Sequence, residues 1–168
     1  MAMRDVRIGK IVVNIGVGEA GEKLSKAQRV LQMITLQKPV QTQARDSIRD
    51  WGVRKNMPIG TKVTLRGERA QDFLRRALAV RDNRLPQYVF DAQGNFSFGI
   101  TDYTDFEGMK YDPEIGVFGM DVNVTLVRPG YRVKVRRVSS ARIPRRHRVS
   151  KDEARAWAHD AFGVEVFE

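Results

Sequence analysis

Apolar residues along the chain follow two periods, and the switches between them mark out strands and helices. KIVVNI (10–15) alternates around Val12 and predicts a strand. Leu24, Ala27, Leu31 and Ile34 then share a helical stripe, which predicts a helix over 22–36, with Pro39 as its stop. VQTQAR (40–45) alternates again. TKVTLRG (61–67) sets Val63 and Leu65 against Lys62, Thr64 and Arg66, the pattern of a half-buried strand. Ala70, Phe73, Leu74, Ala77 and Leu78 define a second helix. GNFSFGI (94–100), DVNVTLV (121–127) and YRVKVRRV (131–138) predict three more strands, the last with its cations on one face after a Pro129-Gly130 turn. Ser150 and Glu153 have the spacing of a capping box. The helix it opens carries Ala154, Trp157, Ala158, Ala161 and Phe162 on one stripe and ends at Gly163.

Alternating strands with short turns make a mostly antiparallel sheet. Three helices with one apolar stripe each would cover one of its faces. The predicted class is α+β, a two-layer sandwich with a polar open face. No repeat or low-complexity stretch breaks the chain, so residues 1–168 read as a single domain.

Composition narrows the chemistry. Among 168 residues there is no cysteine, which removes disulfides, thiolate metal sites and thiol nucleophiles. His147 and His159 are the only imidazoles, too few for a His-rich metal site, and no metal or cofactor is expected. No apolar run approaches the roughly 20 residues of a spanning helix, and MAMRDVRIGK has no signal-like apolar core. The expected protein is intracellular, basic and independent of membranes.

The charge is local. Lys and Arg number 30 against 20 acids, a net +10. The segment 128–151 holds ten cations and no acid, so the remainder is formally neutral, 20 against 20. Eight of the ten are Arg, the better bidentate phosphate ligand. The stretch 91–121 tilts the other way, with seven acids against Lys110. A polyanion is the expected partner, nucleic acid before membrane.

Other motifs carry less. Gly16-Val-Gly18-Glu-Ala-Gly21 matches a dinucleotide-binding pattern between a strand and a helix. It lacks an acid about 20 residues on, and Glu19 would oppose a pyrophosphate, so a tight turn is the better reading. A small nucleotide-dependent enzyme is the alternative it would support. Gly60-Thr-Lys62 lacks the order of a P-loop, and Asp102, Asp105 and Glu107 lack the spacing of an EF-hand. Phe96 and Phe98 read as core rather than as RNA-stacking rings. His159 reads as exposed, and His147, within RRHR, as meeting RNA rather than metal. VRKNMPIG (53–60) places Arg54, Lys55 and Asn56 beside Met57 and Pro58 in a loop between strands, a suitable RNA contact. A general RNA chaperone acting through 128–151 alone is a further alternative.

Several stretches together resemble a known family. IVVNIGVGEAGEKL, Gln37-Lys-Pro39, QARDSI, PIG and TKVTLRGERA are similar to the universal L-five family of large-subunit ribosomal proteins. GNFSFGI, YDPEIGVFGMDV, VRPGY and HRVSKDEA resemble its archaeal and eukaryotic branch, and a short N-terminus suits an archaeal source. The resemblance runs from Met3 onward. It implies a non-enzymatic, cytoplasmic component of the ribosome that binds 5S rRNA in the central protuberance, through residues matching Asn14, Gln37, Thr64 and Arg66. It also implies that the 53–60 loop, with Arg54, Lys55 and Asn56 at its tip, reaches P-site tRNA. The implied neighbours are the L-eighteen-family protein and, across the subunit interface, the S-thirteen-family protein. The basic segment is richer in Arg than the family at large. Contact of Arg132, Lys134, Arg136, Arg137, Arg145, Arg146 and Arg148 with large-subunit rRNA phosphates therefore rests on charge alone.

Overall fold

The computed structural model describes residues 3–167. In chain order the elements are β1 (Arg7–Gly16), α1 (Glu22–Thr35), β2 (Val40–Gln43), β3 (Pro58–Leu65), α2 (Glu68–Ala79), β4 (Arg84–Pro86), β5 (Phe96–Ile100), β6 (Met120–Val127), the one-turn α3 (Arg132–Val135), α4 (Lys151–Phe162) and β7 (Glu165–Phe167). Strands β2, β3, β1, β6 and β5, in that order, form a mainly antiparallel sheet, and β4 pairs in parallel with β7. The class is α+β, as the periodicity predicts. The residues cluster into two compact units: one takes the chain up to Ile11, Arg66–Phe98 and Asn123 onward, the other Val12–Leu65 and Gly99–Val122.

In the second unit, α1 packs on β3. Its stripe of Leu24, Ala27, Leu31 and Ile34 is buried, with Val30 added, and so are Val13, Ile15, Val63 and Leu65. Leu36 ends α1 in a left-handed conformation at φ 53°, and its N–H bonds to Gln32 O. β2 and β3 pair Val40 with Lys62 and Thr42 with Gly60, with a bulge between Thr42 and Gln43.

In the first unit, Ala70, Phe73, Leu74, Ala77 and Leu78 of α2 are buried, together with Val124 and Leu126. Phe96 and Phe98 are buried and stack at 6.5 Å, so they are core, as their pattern predicts. The capping box forms: Ser150 Oγ accepts from Glu153 N, and Ser150 N donates to Glu153 Oε2. Gly163 closes α4 at φ 66°.

One predicted strand is absent. Residues 131–138 make the single turn α3 and then run irregularly, with Ala141 N bonded to Val133 O. Valines alternating with cations bury nothing without a neighbouring strand, and Val135 stays 81% exposed. Local ties decide the conformation instead. The Tyr131 hydroxyl accepts from Val149 N and donates to His147 O.

Candidate nucleic-acid interface

The second unit offers a polar strand face. Val13 and Ile15 on β1 and Val63 and Leu65 on β3 are buried, so Asn14 and Thr64 between them point the other way and are half-buried. β1 and β3 are adjacent, which brings these two predicted site residues onto neighbouring strands. Lys62 is exposed on the face of Thr64, a cation whose signal was the Lys62-x-Thr64 alternation. Gln37 is half-buried one residue past the left-handed Leu36, which turns the chain sharply out of α1. Arg66, which falls in the first unit, is exposed directly after β3 ends.

The connection from β2 to β3 differs from the predicted loop. Pro58, Ile59 and Gly60 belong to β3, and Val53 is buried. Ala44 N bonds to Met57 O, and Asn56 N to Ala44 O, so pairing continues beyond the bulge. Ile48 and Val53 then exchange bonds of 2.8 and 3.1 Å around a 3-10 turn, Arg49–Trp51. The outer end is thus Arg49 to Gly52. Arg54, Lys55 and Asn56 lie exposed on the returning limb, where Lys55 N bonds to Ser47 Oγ and Asn56 sits at φ 67°. Arg49 and Trp51 lie outside the 53–60 loop that the sequence predicts. The available signal was Asp50-Trp51-Gly52, a turn-forming pair around an aromatic with no strand partner.

The basic segment lies in the first unit. Its first cation is spent internally. Arg128 is 8% exposed and donates to Glu153 Oε1 at 2.7 Å and to Arg148 O. His147 is half-buried, its Nε2 lying 2.9 Å from the Pro129 carbonyl. Arg136 Nε bonds to Ser139 O and Arg148 Nε to Ile143 O, which fixes those two side chains near the backbone. Arg132, Lys134, Arg136, Arg137, Arg142, Arg145, Arg146 and Arg148 are all exposed. Facing water, they form a dense cationic array with no acid within the segment to neutralise it.

The glycine turn after β1 is unsuited to a pyrophosphate. The N–H groups of Val17 and Gly18 both donate to Ile59 O, at 3.0 and 2.8 Å, so they do not point at a ligand. Several acids of 91–121 shape local turns: Asp91 accepts from Gln93 N and Asn95 N, Asp102 from Thr104 N and Asp112 from Glu114 N. His159 is exposed beside Asp160. Among the described residues no helix is long and apolar enough to cross a membrane.

A polar sheet face, an ordered cationic hairpin and an exposed arginine array define an α+β protein whose surface suits a polyanion. The comparisons give the family. Residues 2–54 match ribosomal protein L5, and residues 58–157 match the C-terminus of the same ribosomal family. Large ribosomal subunit protein uL5 of Thermoplasma volcanium is 53% identical over 165 residues, 98% of this chain and 97% of the relative. The protein of that name from Sulfurisphaera tokodaii is 54% identical over 99% of this chain and 94% of its own. That from Methanoregula boonei is 48% identical over 98% and 99%. The chain belongs to the ribosomal protein L5 family, in its archaeal branch, and that family is one of ribosomal proteins, not enzymes.

Proposed function

We propose that the chain is a structural constituent of the large ribosomal subunit and holds 5S rRNA in the central protuberance. Family membership over nearly the whole chain carries the ribosomal assignment. Asn14, Gln37 and Thr64 supply the chemistry for 5S rRNA: amide and hydroxyl groups that read 2′-hydroxyls and phosphates, half-buried and therefore held in place. Arg66 adds a guanidinium at the end of β3. The hairpin beyond β2, with Arg54, Lys55 and Asn56 on its returning limb, faces P-site tRNA. Arg132, Lys134, Arg136, Arg137, Arg145, Arg146 and Arg148 neutralise large-subunit rRNA phosphates, a term that falls with salt. The protein neighbours are the L-eighteen-family protein and the S-thirteen-family protein of the small subunit. The whole chain acts as one domain in this role.

The geometry disfavours a nucleotide-dependent enzyme at Gly16–Gly21, because the Val17 and Gly18 N–H groups are both bonded to Ile59 O. Co-purification tests the reading. Native protein isolated at moderate salt should carry 5S rRNA, and isolation with other RNAs but no 5S rRNA would overturn it.

A further inference from the structure

The far end of the β2–β3 hairpin carries a 74% exposed indole, Trp51, immediately after Arg49 and Asp50. Gly52, at φ 65°, turns the chain back directly after it. Beside the ring lies a groove of about 820 Å3, walled by Ile48 and Trp51 from the hairpin and by the turn at Gly16 and Gly18, with Arg45 as its cation. That volume is within the range of small-molecule sites in general, about 300–1,000 Å3. Of the two acids lining the groove, Glu19 is ion-paired to Lys23 at 3.1 Å, which leaves Asp46 opposite Arg45 in the balance. The hairpin from 45 to 55 carries four cations and two acids.

These features belong together chemically. An open aromatic face with guanidinium groups around it takes an unpaired nucleobase, because stacking holds the base while the cations hold its phosphates. A duplex offers no free base face. An apolar peptide would use the groove but leave the flanking cations unanswered. We propose that Trp51 is a base-stacking platform: an unpaired base of the RNA that meets this hairpin lies on the indole, with its phosphates toward Arg45 and Arg49. This deepens the proposed function and rests on the reading of the hairpin as an RNA-facing element. It moves the centre of that contact from Arg54, Lys55 and Asn56 to the outer turn.

Fluorescence separates the possibilities. The full chain in a Trp157→Phe background leaves Trp51 as sole reporter. It is titrated with an RNA hairpin bearing an unpaired loop, with a duplex of matched length, and with an acidic peptide. The hairpin RNA should quench Trp51 and the duplex should not. Trp51→Ala should weaken hairpin affinity roughly five- to hundredfold, with most of it retained in Trp51→Phe. Unchanged thermal melting of Trp51→Ala, expected for so exposed a ring, secures the comparison. Quenching by the peptide without the RNA, equal quenching by duplex, or full affinity in Trp51→Ala would each overturn the proposal. In the last case a combined Arg54→Ala and Lys55→Ala variant decides how far the failure reaches. If it loses hairpin RNA, stacking alone is wrong; if it too binds normally, the RNA-facing reading of the hairpin fails with it.

Discussion

The Arg128 guanidinium donates from Nη2 to Glu153 Oε1 at 2.7 Å, joining the start of the cationic segment to the first turn of α4. The arginine side chain is 9% exposed and the carboxylate 45%. Removing the carboxylate leaves a buried charge without its counter-ion, so Glu153→Ala should cost about 2–4 kcal/mol in chemical denaturation. Acid should act on the same bond. The Ser150 N–H lowers the Glu153 pKa most; partial burial pushes it up and the Arg128 contacts bring it down, leaving it below the ordinary carboxylate value. A lowered folded-state pKa gives stability that is present above the unfolded value and lost as pH falls through the folded one. Glu153→Gln should therefore flatten the acid limb of the stability profile while lowering stability at neutral pH.

Gly60 has no room for a side chain. A Cβ there would stand 2.8 Å from Thr42 Oγ1 and 3.0 Å from the Ile15 carbonyl. The hydroxyl can rotate, but the β1 backbone cannot move without disturbing its ladder. Gly60→Ala should lower stability by about 1–3 kcal/mol, read from urea midpoints at constant slope.

The exposed arginines should govern salt dependence rather than specificity. Replacing Arg136, Arg137, Arg145 and Arg146 by Ala should reduce the slope of log affinity against log salt by about 0.7–0.9 per lost phosphate contact. Residual preference for 5S rRNA should survive. If all RNA binding vanished with these four side chains, the chaperone alternative would be the better account.

The hairpin and the sheet face should be separable. Arg54→Ala with Lys55→Ala should leave 5S rRNA affinity within about twofold, since surface changes away from an interface alter free energies by roughly 0.5 kcal/mol or less. The same variant should weaken P-site tRNA retention in reconstituted ribosomes. An equal fall in 5S rRNA affinity would show that the two surfaces do not divide the work.

Legibility in the sequence followed the reach of each interaction. Helices α1 and α2 were plain from their stripes and α4 from the Ser150–Glu153 box, features set within a few residues; of the predicted α4 stripe only Ala154 and Ala158 are buried, Trp157 and Phe162 are half-buried, and Ala161 is exposed. The strands around Val13, Val63, Phe98 and Val124 were plain for the same reason. Residues 131–138 misled because alternation predicts a strand only where a neighbour exists, and the conformation there depends on Tyr131 reaching Val149, 18 positions away. The basic segment was legible as charge, but the burial of Arg128 was not, since Glu153 lies 25 residues on. The hairpin's true end was hidden by the bridge between Ile48 and Val53, which makes Arg49 to Gly52 the turn and draws Arg54 inward along the limb. Asn14, Gln37 and Thr64 became candidates through resemblance. Composition alone points to the arginines of 128–151.

That contrast sets the decisive measurement. Affinity for 5S rRNA and for an unrelated structured RNA of equal length is measured at physiological salt, for the native chain and for Gln37→Ala combined with Thr64→Ala. The account predicts a native preference for 5S rRNA and a loss of about tenfold or more in the variant, at roughly 1.4 kcal/mol per decade, with unrelated RNA unaffected. Equal affinity of the native chain for both RNAs, or an unchanged variant, would contradict the assignment of recognition to the polar sheet face.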